Sequence, residues 1–211
     1  MNNIKIKVCG MRDQENILEV ARLRPDYMGF IFYDKTPRYV GADFMIPKDF
    51  PASTKRVGVF VNESVEEILK KVAAFNLDFV QLHGHETVAA CAALKESDVG
   101  VIKVFSVDDE MDFTITEAYE QVVDFFLFDT RGKLYGGNAM TFDWNVLTRY
   151  NQKIPFFLSG GITPENVEDV KPVAALNLRA IDVNSGVELK PALKDVQKIK
   201  TIQSILHSKL R

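Results

Sequence analysis

Short apolar runs recur along the chain roughly every 25 residues, a spacing that leaves room for a strand and a helix in each unit. They are Ile4–Val8, Tyr27–Phe32, Arg56–Val61, Asp78–Leu82, Val101–Phe105, Asp124–Phe128, Pro155–Leu158 and Ala180–Val183. The first alternates Ile4-Lys5-Ile6-Lys7-Val8 and ends at Cys9-Gly10, and period two is the mark of a strand. Most of the others are nearly continuous apolar runs, as expected of parallel strands buried on both faces.

Helix signals stand between the runs. Asp13 precedes Ile17, Leu18, Val20 and Ala21 and predicts a capped helix there. Ser64 with Glu67 forms a capping box ahead of Ile68, Leu69 and Val72. Thr163-Pro164-Glu165 predicts an N-cap, a proline at the first helical position and an acid in the first turn. Asp143 can cap a short helix through Trp144, Val146 and Leu147, whereas Pro37, Pro47 and Pro51 leave room for little helix between the second and third runs.

Strand and helix alternating in eight units over 211 residues predict an α/β fold. Its form is a single (β/α)8 TIM barrel with parallel strands, one domain over residues 1–211. A doubly wound open sheet is the alternative. It usually has fewer strands at this length, and no Gly-x-Gly-x-x-Gly follows the first strand here.

Composition narrows the class without naming an activity. The net charge of −3, with no basic run, points away from nucleic acid. An anionic substrate would have to be held by local cations and backbone amides. Two cysteines, Cys9 and Cys91, do not make a disulfide framework and suggest a reducing compartment. No leader-like segment or membrane-length apolar run stands out, so the expectation is a cytoplasmic protein with no membrane partner.

In a barrel, chemistry gathers at the C-terminal ends of the strands. The first ends at Cys9-Gly10, the fourth at Gln81-Leu82-His83-Gly84, and the sixth at Asp129 after Phe125-Phe126-Leu127-Phe128. The seventh leads to Ser159-Gly160-Gly161 and the eighth to Asp182-Val183-Asn184-Ser185-Gly186. Gly160-Gly161 before a helix start, together with Ser185-Gly186, suits phosphate, which backbone amides and a helix N-terminus attract. A carboxyl at the rim of an apolar wall, as Asp129 is, favours its protonated form and suits a general acid. Cys9 is either a packing residue or a nucleophile or base, and Cys91, within an apolar helix face, is a packing residue. Arg38 follows Pro37 in a loop and suits a carboxylate. The glycine-bearing loop 131–140 is either a lid or a variable connection.

Taken together, these stretches resemble the phosphoribosylanthranilate isomerases of tryptophan biosynthesis. The resemblance rests on KVCGMRDQEN from Lys7, GFIFYDKTPRYV from Gly29, VGVFVN from Val57, VQLHGHE from Val80 and FDT from Phe128. It continues through YGGNAMTFDW from Tyr135, LSGGITPENV from Leu158 and DVNSGVE from Asp182. It implies a (β/α)8 barrel that converts N-(5-phosphoribosyl)anthranilate to its aminoketose by an Amadori rearrangement, with no cofactor. The partner is then a small phosphosugar. Separately from the resemblance, the chain is expected to be a monomer, although apolar residues exposed on its helices could also serve a dimer. By the same resemblance Cys9 is the general base and Asp129 the general acid. Arg38 holds the anthranilate carboxylate, and Gly160, Gly161, Ser185 and Gly186 hold the phosphate. The chain departs from the family pattern in three places: Thr36 for a serine, Asn138-Ala139 in a loop that usually reads Gly-Gly-Thr-Gly, and Ala192 where a glycine is usual. Competing readings are a phosphosugar epimerase or an indole-glycerol-phosphate synthase on the same scaffold, or a phosphosugar-binding barrel without catalysis.

Strand phase adds a claim of its own. If Cys9 points into the barrel, so do Lys7 and Lys5, and likewise Gln81, His83, Phe125, Leu127, Asp129, Asp182 and Asn184. Strand eight neighbours strand one in a closed barrel. Lys7 is therefore expected to pair with Asp182 beneath Cys9, with both counted among the substrate-binding residues alongside Gln81 and His83.

Overall fold

The computed structural model describes residues 4–130 and 143–209. Eight strands close into an all-parallel barrel in chain order. They are β1 (Lys5–Val8), β2 (Tyr27–Ile31), β3 (Lys55–Phe60), β4 (Phe79–Leu82), β5 (Gly100–Val107), β6 (Phe125–Thr130), β7 (Phe156–Leu158) and β8 (Leu178–Val183). Each apolar run of the sequence falls on one of them. The barrel closes by pairing β1 with β8, with Lys5 opposite Ala180 and Lys7 opposite Asp182.

Helices α1 (Gln14–Ala21), α2 (Val65–Phe75) and α3 (Val88–Lys95) begin at Asp13, Ser64 and Thr87, whose side chains accept from Asn16 N, Glu67 N and Ala90 N. The capping box at Ser64 is only half made. Glu67 turns its carboxylate to Lys70 instead of back to Ser64 N, which bonds Glu63. After β5, β6 and β7 the described residues of the connections form 3₁₀ segments rather than α-helices: Phe113–Tyr119, Trp144–Arg149 and Val167–Val173. The helix expected to start at Thr163 is therefore corrected to a turn followed by a 3₁₀ segment, within which Pro172 lacks the N–H that an α-helical bond needs. A 14-residue helix, α4 (Val196–Lys209), follows β8 and completes the eighth strand–helix unit.

Most of the apolar core lies between the barrel wall and these outer segments. The lower lumen is plugged by a closed ring of aromatic contacts, Tyr27 to Phe79, Phe79 to Phe125, Phe125 to Phe157 and Phe157 to Tyr27, with centroids 5.0–5.8 Å apart. Phe125, Leu127 and Phe157 thus point inward, in the phase the strands predict, and leave only the upper barrel for polar side chains. Gly100 stands beside this plug, and a Cβ there would run into the Phe79 ring.

Candidate active site

The upper lumen opens into a cleft of about 670 Å³, counting the space at its mouth. Its lining includes Cys9, Gln81, His83, Asp129 and Asp182, together with Ser159, Gly160, Gly161, Ser185 and Gly186. Strand ends far apart in the chain meet here because the barrel closes.

Lys7 is the first correction. It was expected to touch substrate, but its side chain is fully buried and does not line the cleft. The pairing read from the register is present: Lys7 Nζ donates to Asp182 Oδ2 at 2.8 Å. Burial alone would lower the Lys7 pKa, yet the charges of Asp182 and then Cys9 hold it above its ordinary value. Burial pushes the Asp182 carboxyl up against the pull of Lys7. Asp182 lines the cleft, and its Oδ1 is buried with no hydrogen-bond partner among the described residues.

Cys9 sits directly above this pair. Burial pushes its thiol up, and the Lys7 ammonium, which also donates a hydrogen bond toward the sulfur, opposes that rise. The nearby cation does not bring the thiol below its ordinary range. Desolvation outweighs the cation, and Cys9 rests as a thiol. Cys91 is buried on α3, where burial raises its thiol to about 11, as befits a packing residue.

Lys7→Met should lower stability by about 3–5 kcal/mol at neutral pH, because it strands a buried Asp182 charge. With its folded-state pKa raised, Asp182 regains its proton in acid. The deficit in urea unfolding should therefore be smallest at low pH and grow as pH rises. Adding Asp182→Leu should recover most of the loss. A Lys7→Met protein as stable as wild type at neutral pH would show that the pair is not needed.

On the opposite side, Asp129 Oδ1 accepts from Thr130 N at 2.9 Å, and Oδ2 lies 3.3 Å from His83 Nε2. The Gln81 amide nitrogen lies 3.2 Å from His83 Nδ1. As the amide is placed, it donates to Nδ1, so a neutral His83 carries its proton on Nε2 and donates it to Asp129. Gln81 Oε1 is a second buried acceptor without a partner among the described residues. The loop carrying His83 is pinned from below by residues that sequence reasoning missed. Buried Lys103 donates to Leu82 O, Gly84 O and Glu86 Oε2, and Glu86 accepts from Asn62 N and Gly84 N.

The glycine loops after β7 and β8 stand side by side. Gly160 has φ +98°, and a Cβ there would collide with Thr130. A Cβ on Gly186 would meet the Ile162 carbonyl, so these glycines serve the packing of the two loops on each other. The amides of Gly160 and Gly161 donate to no acceptor among the described residues. No α-helix N-terminus backs them, since Thr163 N is taken by Asn166 Oδ1 at 2.8 Å.

Arg38 is the other departure. It does not line the cleft. Its Nε and Nη2 grip Glu188, with Nε 2.9 Å from Oε1 and Nη2 2.7 Å from Oε2. Glu188 opens a small hairpin, β9 (Glu188–Lys190) and β10 (Leu193–Lys194), that no periodicity announced. At its turn Ala192 has φ +66°, a left-handed conformation that disfavours any residue with a Cβ. The substitution of alanine for the family's usual glycine is thus carried with strain. Loop 131–140, including Asn138 and Ala139, lies outside the described residues.

A family model described as N-(5'phosphoribosyl)anthranilate (PRA) isomerase matches residues 6–204. The chain belongs to this isomerase family. Its relatives include the N-(5'-phosphoribosyl)anthranilate isomerase of Parabacteroides distasonis, 45% identical over 206 residues that cover 96% of this chain and 93% of that one. A solved phosphoribosylanthranilate isomerase in complex with reduced 1-(o-carboxyphenylamino)-1-deoxyribulose 5-phosphate has a TM-score of 0.81 at 33% identity, covering 97% of this chain and 98% of that one. A structure of monomers generated from the dimeric Thermotoga maritima isomerase has a TM-score of 0.79 at 30% identity, covering 97% and 99%. The family model spans the barrel from β1 into α4. No described helix is long and apolar enough to cross a membrane.

Proposed function

We propose that this chain is the isomerase that turns N-(5-phosphoribosyl)anthranilate into 1-(2-carboxyphenylamino)-1-deoxyribulose 5-phosphate in tryptophan biosynthesis, with Cys9 and Asp129 as its proton-transfer pair. The observation that carries the roles is their meeting in one cleft, with two glycine loops on adjacent strands beside them.

Asp129 gives its proton to the furanose ring oxygen as the bond from C1 to that oxygen breaks. The anthranilate nitrogen lone pair then forms a C1=N iminium. The hydrogen bond from His83 is strongest to the carboxylate left behind. Cys9 takes the proton from C2, and the C–H electrons form C1=C2 while neutralising the iminium. The resulting enolamine tautomerises to the ketone. No step calls for a group beyond the side chains. Asp182 Oδ1 and Gln81 Oε1 accept from ribose hydroxyls, while Gly160, Gly161, Ser185 and Gly186 hold the phosphate. Arg38 faces the carboxylate at the cleft's edge. The reading takes the whole chain as one barrel domain acting as a monomer in the cytoplasm. One chain supplies every cleft residue named, and Cys9 and Cys91 are both free thiols.

The test is incubation of the purified protein with freshly generated phosphoribosylanthranilate, following loss of its fluorescence. Saturable, enzyme-dependent decay is expected. Absence of turnover with saturable binding of the reduced product analogue would instead make this a binding barrel.

A further inference from the structure

The β9–β10 hairpin carries a buried charge cluster that the mechanism above leaves unused. Lys194 has no exposed side-chain surface, yet its ammonium donates to Asn184 Oδ1 at 2.6 Å, Asn184 O at 3.2 Å and Glu188 Oε1 at 2.7 Å. Its backbone is locked to α1, since Lys194 N donates to Asn16 Oδ1 at 2.7 Å and Asn16 Nδ2 to Lys194 O at 3.0 Å. Glu188 is thereby shared. Arg38 takes it from one side, Lys194 from the other, and Ala192 N also donates to Oε1. Two cations on one carboxylate leave a net positive charge in a nearly dry site.

The charge has a use. Were Glu188 bonded to Arg38 alone, the pair would be neutral and would offer little to a second carboxylate. Arg38 adjoins the cleft through Thr36, whose Oγ1 accepts from Arg38 N at 3.4 Å, and Asn184, which holds Lys194, also lines it. We propose that Lys194 is a positioning residue that sets the charge of the carboxylate subsite: by half-neutralising Glu188 it leaves Arg38 with the positive charge that selects a substrate bearing an aryl carboxylate. The inference rests on the isomerase reading and adds to it a determinant of specificity that touches no substrate.

The surroundings of Lys194 give the subsite a pH dependence. Burial pulls the Lys194 ammonium down to about 8, against the opposing charges of Glu188 on β9 and Cys9 at the end of β1, while Arg38 from the loop after β2 pushes the same way as burial. Asn184 after β8 and Asn16 on α1 face it with neutral groups. Glu188 stays ionised. Burial would raise its carboxyl, but Arg38 and Lys194 hold it below its ordinary value. As pH rises past 8 the cluster therefore goes from net positive to neutral.

The experiment compares two probes by calorimetry: reduced 1-(o-carboxyphenylamino)-1-deoxyribulose 5-phosphate and the same compound without its ring carboxylate. Wild type should prefer the carboxylated probe by about tenfold or more, the scale of a charge-assisted contact. Lys194→Met should lose that preference while binding the second probe as wild type does. Lys194→Met with Glu188→Gln restores the net charge and should restore the preference. An unchanged preference in Lys194→Met, an equal loss for both probes, or no recovery in the double variant would overturn the proposal.

Should Lys194→Met fail to fold, a pH series on the folded Cys9→Ser protein, which lacks the neighbouring thiol, decides it. The preference should fall between about pH 7 and about 9, tracking loss of a lysine charge held at about 8 and moved lower once the thiol's favourable charge is gone; a flat preference would overturn the proposal. If neither probe binds wild type saturably, the isomerase reading fails rather than this one.

Discussion

Cys9→Ser should lower kcat by about 10²–10⁴-fold while leaving KM within a few fold, the usual cost of losing a proton-transfer group. The fold should tolerate the change. The thiol lies close against Gly29, which has no side chain to crowd a slightly smaller hydroxyl, and Lys7 Nζ beneath can donate to the new oxygen. A serine at that place cannot reach its alkoxide at any working pH. Burial has already pushed the Cys9 thiol upward, so at neutral pH only a minority of wild-type molecules hold the base form. With removal of the C2 proton as the limiting step, wild-type kcat should climb with pH as the base form of Cys9 grows, up to that thiol's pKa. The serine variant should lose this ascending limb. Fluorescence-detected turnover from pH 6 to 10 measures both effects, with circular dichroism as a check on folding. Wild-type-like turnover in Cys9→Ser, or a limb that survives it, would remove Cys9 as the base.

Which parts of this site were legible in the chain follows from how each residue is placed. Cys9, Gln81, His83, Asp129 and Asp182 sit on strand ends, and strand period fixes the face on which they emerge. Closure of the barrel turns that phase into a contact, which is why Lys7 and Asp182, 175 positions apart, could be paired from their register alone. Arg38, Glu188 and Lys194 are different. They meet through loops and a short hairpin, where no periodicity links distant residues. A motif containing Glu188 was visible, but its contact with Arg38 was not, and Lys194 in Leu189-Lys190-Pro191-Ala192-Leu193-Lys194 looks like an ordinary surface lysine. The thiol of Cys9 shows the same limit from another side. The sequence identified the cation near it, but only the packing reveals that desolvation is the stronger influence. The outer segments after β6 and β7 carried start signals at Asp143 and, in part, at Thr163, whereas the one after β5, capped by Asp112, was not read from the sequence. Their short length and Pro172 favoured 3₁₀ geometry over the α-helix that a start signal alone suggests.

The acid side permits a sharper test than loss of rate. Asp129→Asn should lower kcat by about 10²–10⁴-fold with little change in KM, since an amide has no acidic proton to give the ring oxygen. It should also disturb the hydrogen bonds behind it in a defined order. Thr130 N donates to one oxygen of residue 129 and will keep the amide oxygen there. The amide nitrogen then faces His83 Nε2, and two donors meet. His83 relieves the clash by moving its proton to Nδ1, which in turn meets the donating Gln81 amide. Gln81 must rotate and present Oε1, the acceptor that has no partner among the described residues of the unaltered protein. ¹⁵N spectra of His83 should accordingly show the proton on Nε2 in wild type and on Nδ1 in Asp129→Asn. Loss of kcat together with the tautomer change identifies Asp129 as the acid held by a His83–Gln81 chain. A variant that keeps its turnover would exclude Asp129 as the acid. One that loses turnover without moving the His83 proton would leave the acid in place and break the chain assigned behind it.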